Sequence, residues 1–500
     1  MDTKTVKDLQ YWKDLASALK IDARAVIDGK SVDAADGKTF DCVSPIDGKV
    51  IAKVADCGEA DIDHAVAAAR RSFDQGVWAG LNPRHRKAAM LRWASVLRDH
   101  ADELALLETL DAGKPIGDTT SVDIPGAIYC VEWFAESIDK VGGEVAPVDH
   151  HLVGLVTREP IGVVAAVVPW NFPLLMASWK FAPALAAGNS VVLKPSEKSP
   201  LTAIRVAQLA VEAGIPAGVF NVVPGFGATG KLLALHMDVD CLAFTGSTAV
   251  GKQIMQCAGQ SNLKRVWLEL GGKSPNIVLP DCPDLDRAAS SAASAIFYNM
   301  GEMCTAGSRL LVHRDIKDVF VKKLLAAAAS YKPGNPLDPT TAMGAIVDSI
   351  QLERVQSYIE SGREQATLLS GGARALEETG GYYIEPTVFD VADPNARVAR
   401  EEIFGPVLSV LTFDSVDEAI RIANDSEYGL AAAVWTSNLT TAHEVSRKLR
   451  AGTVWVNCYD EGGDMNFPFG GYKQSGNGRD KSLHALEKYT ELKSTLVRLR

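Results

Sequence analysis

Two parallel-sheet α/β units joined by a small β extension are what the sequence predicts, on three observations. Short β-branched apolar runs alternate with helix-period stretches from residue 161 to residue 457. Most of these runs are apolar at successive positions, the pattern of strands buried on both faces of a parallel sheet. Two further segments, 142–160 and 484–500, are extended, and Thr490 to Leu499 alternates apolar with polar residues.

In chain order, apolar spacing of three and four predicts amphipathic helices over residues 59–140, among them Glu59 to Ser72 and His85 to His100. Runs at 161–168, 190–193, 219–223, 241–244 and 265–270 then predict the strands of a first sheet. The Gly and Pro cluster from Leu270 to Pro275 predicts a crossover with a ligand cleft beside it, at the carboxyl ends of the strands. A second alternation follows: a strand at Asn276 to Leu279, a helix from Leu285, a strand at Arg309 to His313 and helices to about 365. Strands at Val407 to Phe413 and Thr453 to Asn457 complete it. No internal repeat or low-complexity linker interrupts the chain, so one compact unit is expected.

Composition limits the possible roles. Five hundred residues suffice for two or three domains, and 47% apolar with 23% charged residues is the profile of a globular enzyme. A net charge of −11 without any Lys/Arg run argues against a nucleic-acid partner. Met1 to Lys20 lacks the apolar core of a secretory signal, and the run Ile161 to Val168 is far short of the roughly 20 residues a membrane helix needs. A cytoplasmic protein with no membrane contact is expected. The eight cysteines form no CxxC pair, and the nine histidines show no metal-ligand spacing. No disulfide framework and no metal are therefore predicted, and His150 and His151 are placed in a surface turn.

Four stretches carry chemistry. Phe297 to Ser308 reads as a helix-like run ending in Cys304 among small residues that leave room for a substrate. By itself a lone cysteine is more often a core residue than a nucleophile. Glu269 stands at the end of an apolar strand before a glycine turn; it is either a capping or salt-bridged acid, or a general base whose pKa burial has raised. Asn171, between Trp170 and Phe172 and flanked by Pro169 and Pro173, can donate an amide N–H to a developing oxyanion, although turn chemistry also favours this composition. Phe244 to Gly251 is a strand-turn-helix glycine loop that departs from GxGxxG. Lys194 and Glu197, after another strand, suit the two hydroxyls of an adenosine ribose.

Together with the run Glu401 to Pro406, these stretches resemble the aldehyde dehydrogenase superfamily, in its motif order and over nearly the whole chain. The resemblance implies a Rossmann-like NAD-binding domain over 1–141 and 161–271, a catalytic domain over 272–483 and an oligomerisation extension over 142–160 and 484–500. It implies that Cys304 attacks the aldehyde, that Asn171 and the Cys304 backbone N–H hold the oxyanion, and that Glu269 activates water against a thioester. Lys180 joins this catalytic set. Around the cofactor it puts Lys194 and Glu197 at the adenosine ribose and Gly246 and Ser247 near the pyrophosphate, with Ser196, Gly227, Phe244, Gly251 and Leu270 also among the cofactor-binding positions. Glu402 and Phe404 fall at the nicotinamide ribose and ring, and Trp170 beside the cofactor. Glu197 would repel a 2′-phosphate, which favours NAD, with NADP possible. Glu302 stands where the family often has Gln. Dimers or tetramers are implied, built by pairing the extended segments across chains.

Within the superfamily, the tail from Phe469 to Tyr489 is similar to that of bacterial γ-glutamyl-γ-aminobutyraldehyde and related ω-aminoaldehyde dehydrogenases. Phe172, Met176, Trp179 and Phe469 match tunnel-lining positions; a wall of aromatics and Met would also accept many unbranched aldehydes, and each is otherwise a core residue. A cationic substrate end needs a carboxylate at the tunnel mouth, for which Asp123, Glu461 and Asp464 are candidates, solvated surface charge being the other reading of each. Three rival functions stay open: a broad aliphatic aldehyde dehydrogenase, a non-catalytic protein on the same scaffold, and a coenzyme A-acylating relative. A papain-like hydrolase would need a His paired with Cys304, and none stands in such a setting.

Overall fold

The computed structural model describes residues 7–462 and 464–500, so the first six residues of the expected cofactor domain lie outside the described residues. Its first sheet has seven strands, in the order Arg265–Glu269, Cys241–Thr245, Val163–Val167, Ser190–Lys194, Phe220–Val222, Ala25–Ile27 and Lys30–Val32. The first five are parallel, and Val163–Val167, Ser190–Lys194 and Cys241–Thr245 are buried at every position. That burial is why they read as unbroken apolar runs. From Val163–Val167 the chain steps one way to Ser190–Lys194 and Phe220–Val222, then returns to the other side of Val163–Val167 with Cys241–Thr245. The order therefore reverses between those two strands, and a crevice opens at their carboxyl ends.

The hairpin Ala25–Ile27 with Lys30–Val32 extends this sheet antiparallel and escapes a periodicity reading because each strand has three residues. The signal was there in Asp28 and Gly29, whose positive φ values of 52° and 74° make the tight turn that Asp-Gly pairs favour.

The second sheet runs Thr367–Ser370, Thr387–Asp390, Val407–Phe413, Arg309–His313, Pro275–Val278, Ala431–Trp435 and Thr453–Val456, parallel except at its first strand. Ala431–Trp435 was not legible in the sequence, since three successive alanines carry helix propensity. Burial between two parallel neighbours overrides it. Between residues 59 and 140 the expected helices are Glu59–Asp74, Pro83–Asp99, Ala101–Ala112 and Ile124–Ser137.

Two expectations need correction. The run around Cys304 is not helical: Leu285–Phe297 ends, Asn299, Met300 and Gly301 turn left-handed (φ 48°, 55° and 70°), and Cys304 lies in the loop that follows. A side chain at Gly301 would meet the Gly405 carbonyl carbon at 2.3 Å, so the turn is packed against the backbone before Pro406. Second, the C-terminal segment is extended only from Thr490, where it pairs with the other extended segment of the same chain. Thr490–Arg498 runs antiparallel to Leu152–Pro160 over nine register pairs, with Glu144–Ala146 on the far side, and Leu483–Tyr489 is a 3₁₀ turn rather than strand. No helix among the described residues is long and apolar enough to cross a membrane.

Candidate active site

Cys304, Glu269 and Asn171 come from three elements that converge at the crevice. The Cys304 loop is pinned on both flanks: Tyr459 Oη donates to the Thr305 carbonyl at 2.6 Å, and the Gly307 N–H donates to Ala295 at 2.9 Å. A Cβ on Gly272 would stand 2.5 Å from the Cys304 carbonyl oxygen, and one on Gly271 would stand 2.1 Å from Glu402 Oε2. The glycine pair after Glu269 thus lets the Cys304 loop and Glu402 approach the crossover, and Glu402 Oε1 accepts the Gly272 N–H at 2.8 Å. Cys304 is partly exposed, whereas five of the other seven cysteines are buried. Burial of its thiol, followed by the charges of Glu402, Asp460 and Glu269, pushes its pKa up to about 12.

Glu269 ends Arg265–Glu269, is 3% exposed, and neither carboxylate oxygen has a hydrogen-bond partner in the protein. It faces glycine: a Cβ on Gly470 or Gly478 would lie 2.8 or 3.3 Å from Oε1. Burial and then Asp480 raise its pKa well above the usual carboxylate range, opposed by Lys180, Lys488 and Arg479. The salt-bridged reading of this acid does not hold. Lys180, also fully buried, is ion-paired with Asp480 Oδ2, while Lys488 takes Oδ1 of the same carboxylate. It reaches Glu269 through its field.

Asn171 is 4% exposed; its Nδ2 donates to the Glu302 carbonyl at 2.9 Å, which commits one of two amide N–H groups. Glu302 is itself buried, accepts the Val347 N–H at 3.2 Å, and is held well above the usual carboxylate range by burial.

The cofactor candidates are spread over strand ends, turns and helix starts of the first sheet, with Glu402 and Phe404 in the loop before Val407–Phe413. Lys194, 4% exposed at its strand end, has Nζ 3.4 Å from Glu197 Oε2, and burial lowers its pKa. Ser196 Oγ accepts the Lys198 N–H. Gly246 donates its N–H to the Glu269 carbonyl at 3.1 Å, Ser247 caps Thr248–Gln260, and Gly227 opens Gly227–Leu235. A Cβ on Gly251 would meet Leu270 at 2.8 Å, and one on Gly246 would meet the Phe244 ring at 2.5 Å. Trp170 and Phe404 stand edge to face at 5.2 Å, Phe404 with φ 60°.

Phe172, Met176 and Trp179, spaced along one face of Pro173–Ala187 and the residue before it, do come together. Trp179 meets Phe469 with ring centroids 5.1 Å apart and planes tilted by 59°, and Phe469 exchanges two 2.7 Å backbone hydrogen bonds with Asp480. Tyr298 faces Phe172 at 6.5 Å. The three acids part company. Glu461 is exposed and paired with Arg287 at 3.0 Å, and Asp464 is exposed beside Tyr129. Asp123 is neither solvated nor at a mouth: it is fully buried with Lys114 Nζ at 2.6 Å from Oδ2. Lys114, Asp480 and Lys488 were missed by sequence reasoning. Their only trace there is Lys114 in odd company between Gly113 and Pro115; Asp480 and Lys488 bracket a turn of mixed apolar and polar residues that gives no such sign.

A thiol, a shielded acid and a polar amide converging on one crevice make a site for covalent chemistry at a carbonyl carbon. The chain belongs to the aldehyde dehydrogenase family, whose model matches residues 32–495. It is an NAD(P)-dependent oxidoreductase acting on a small-molecule aldehyde. The chain is 54% identical to the NADP/NAD-dependent aldehyde dehydrogenase PuuC of Escherichia coli over 98% of its own length and 99% of that protein. Among solved structures it resembles a γ-glutamyl-γ-aminobutyraldehyde dehydrogenase of Burkholderia cenocepacia, with 81% identity, TM-score 0.98 and coverage of 99% and 100% of the two chains. An indole-3-acetaldehyde dehydrogenase of P. syringae, solved as a mutant with NAD+ and IAA, matches at 63% identity and TM-score 0.97, covering 98% and 100%.

Proposed function

We propose that Cys304, Glu269 and Asn171 carry the oxidation, and the observation that supports this most strongly is the unpartnered, buried carboxylate of Glu269. A protein interior tolerates such a group when its task is to take a proton. In this reading Cys304 Sγ adds to the aldehyde carbon, and the oxygen that becomes negative is held by the second Asn171 N–H and the Cys304 backbone N–H. A bound NAD(P) supplies the hydride acceptor. Water enters past Gly470 and Gly478, Glu269 takes its proton, and the hydroxide displaces Sγ from the thioester to release the carboxylate.

The crevice fits a dinucleotide: Lys194 and Glu197 present a cation and an acid together at a strand end, for ribose hydroxyls, and Trp170 and Phe404 make an aromatic wall. Glu197 sets the preference for NAD. Glu197→Gln is expected to shift the ratio of kcat/KM for NADP over NAD upward by about tenfold, since removing one repulsive charge is a modest change. An unchanged ratio would take that role from Glu197.

For the substrate we propose an aldehyde bearing an ω-amino, guanidino or γ-glutamylamino group, a reading supported by the activity for which the Burkholderia relative is named and by the carboxylate of Asp460, whose field reaches Cys304. The P. syringae relative and the wall of Phe172, Trp179 and Phe469 favour a second reading, an aryl-acetaldehyde. NADH formation with γ-glutamylaminobutanal, 4-aminobutanal, 4-guanidinobutanal, indole-3-acetaldehyde, propanal and benzaldehyde separates them. Leadership in kcat/KM by the charged aliphatic aldehydes supports the first, indole-3-acetaldehyde leading supports the second, and silence on every aldehyde with both cofactors defeats both.

The division into a cofactor domain (1–141, 161–271), a catalytic domain (272–483) and an extension belongs to the same proposal, as does a cytoplasmic location. Leu492 and Leu496, both more than half exposed on Thr490–Arg498, support assembly into dimers or tetramers through the extension.

A further inference from the structure

The ion pair that removes Asp123 from the tunnel mouth leads directly to Asn171. Lys114 follows Gly113, the left-handed residue that stops Ala101–Ala112, and is 1% exposed. Its Nζ has three neighbours: Asp123 Oδ2 at 2.6 Å, the Asn171 carbonyl oxygen at 3.1 Å, and the Phe172 ring, whose centroid is 3.7 Å away. A carboxylate, a carbonyl and a π face thus surround the ammonium group, the surroundings a buried cation needs.

The same carbonyl oxygen accepts a second donor, Asn299 Nδ2 at 3.1 Å. Asn299 Nδ2 also reaches the Glu302 carbonyl at 3.1 Å, and that carbonyl accepts Asn171 Nδ2 at 2.9 Å. Asn171 is thereby tied at its backbone by Lys114 and Asn299 and at its side chain by Glu302, two residues before Cys304. We infer that Lys114, held by Asp123, is a positioning residue that fixes Asn171 so that its remaining amide N–H meets the oxygen of the reacting carbonyl. Lys114 touches neither aldehyde nor cofactor; it acts through the Asn171 main chain. Asp123 serves this cation and not a substrate's.

The inference rests on the oxyanion role proposed for Asn171, and a double-mutant cycle keeps the two apart. Lys114→Met is expected to lower kcat by roughly tenfold to a hundredfold, a fraction of what losing an oxyanion donor costs. KM should stay within about threefold. Hydrolysis of p-nitrophenyl acetate, which needs no hydride acceptor, should fall in parallel. On an Asn171→Ala background the same change should cost no more than about twofold, because nothing is left to position. Lys114→Met leaves the Asp123 carboxylate buried alone, so Lys114→Met/Asp123→Asn, in which the remaining amide is neutral, carries the same cycle if the single variant fails to fold. The inference is overturned if the Lys114 effect is undiminished on the Asn171→Ala background, or if it appears in KM alone. If Asn171→Ala is itself harmless, the oxyanion reading fails first and the Lys114 inference goes with it.

Discussion

Cys304→Ala is expected to leave a folded, cofactor-binding protein with no aldehyde oxidation, a loss of about 10⁴-fold or more in kcat. The size follows from what the residue does: without Sγ no thiohemiacetal forms, and an aldehyde whose carbonyl carbon is not first converted to an alcohol-like centre has no hydride to give. Five of the other seven thiols, Cys42, Cys57, Cys130, Cys241 and Cys257, are buried in the core and are no substitute. Burial already holds the Cys304 thiol high, so its proton must be removed on the way to attack, and the neighbouring Glu269 and Glu402 oppose a thiolate further. Activity should therefore fall as pH is lowered, in the direction set by the raised pKa values of both thiol and acid. Steady-state NADH formation, cofactor binding by fluorescence and Tm check the variant together. Residual turnover within tenfold of wild type would remove Cys304 from the chemistry and revive the scaffold reading.

Much of this site was legible before any coordinates, and the reason is local. Glu269 and Lys194 are the last residues of their strands and Asn171 stands four residues after another, so an abrupt polar residue after an apolar run marks the end of the strand and the carboxyl edge of the sheet in the same place. Phe172, Met176 and Trp179 were assigned through the family resemblance, and their spacing along Pro173–Ala187 and the residue before it puts them on one helix face. Lys114 with Asp123, and Lys180 with Asp480 and Lys488, were not, because each partnership joins different elements and no periodicity in one predicts the other. The Cys304 loop misled for the opposite reason: Asn299 and Met300 are ordinary helix-compatible residues, and only packing of Gly301 against Gly405 forces the left-handed turn. Short strands such as Ala25–Ile27, and the alanine-rich Ala431–Trp435, owe their conformation to neighbours in the sheet rather than to propensity.

Glu269→Gln is expected to separate the two halves of the reaction. Acylation should survive, so a pre-steady-state burst of NADH near one equivalent per active site should remain, while steady-state turnover drops by about 10²- to 10⁴-fold for want of a base to activate water. The acyl group should then be found on Cys304 by intact-mass measurement. Loss of burst and turnover by the same factor would instead make Glu269 the base for the thiol. The loss cannot be charged to unfolding if Tm holds, and the sign of the linkage says that it should. A carboxyl whose folded-state pKa is raised contributes its stability below the unfolded-chain pKa and loses it as pH rises through the folded value. At neutral pH and above, Glu269 is thus a liability to the fold, most of it from burial and the rest from Asp480, only partly offset by Lys180, Lys488 and Arg479. A neutral amide of the same shape escapes that penalty, so Glu269→Gln should be at least as stable as wild type at alkaline pH while being catalytically crippled, the combination expected of an acid kept buried for its proton chemistry.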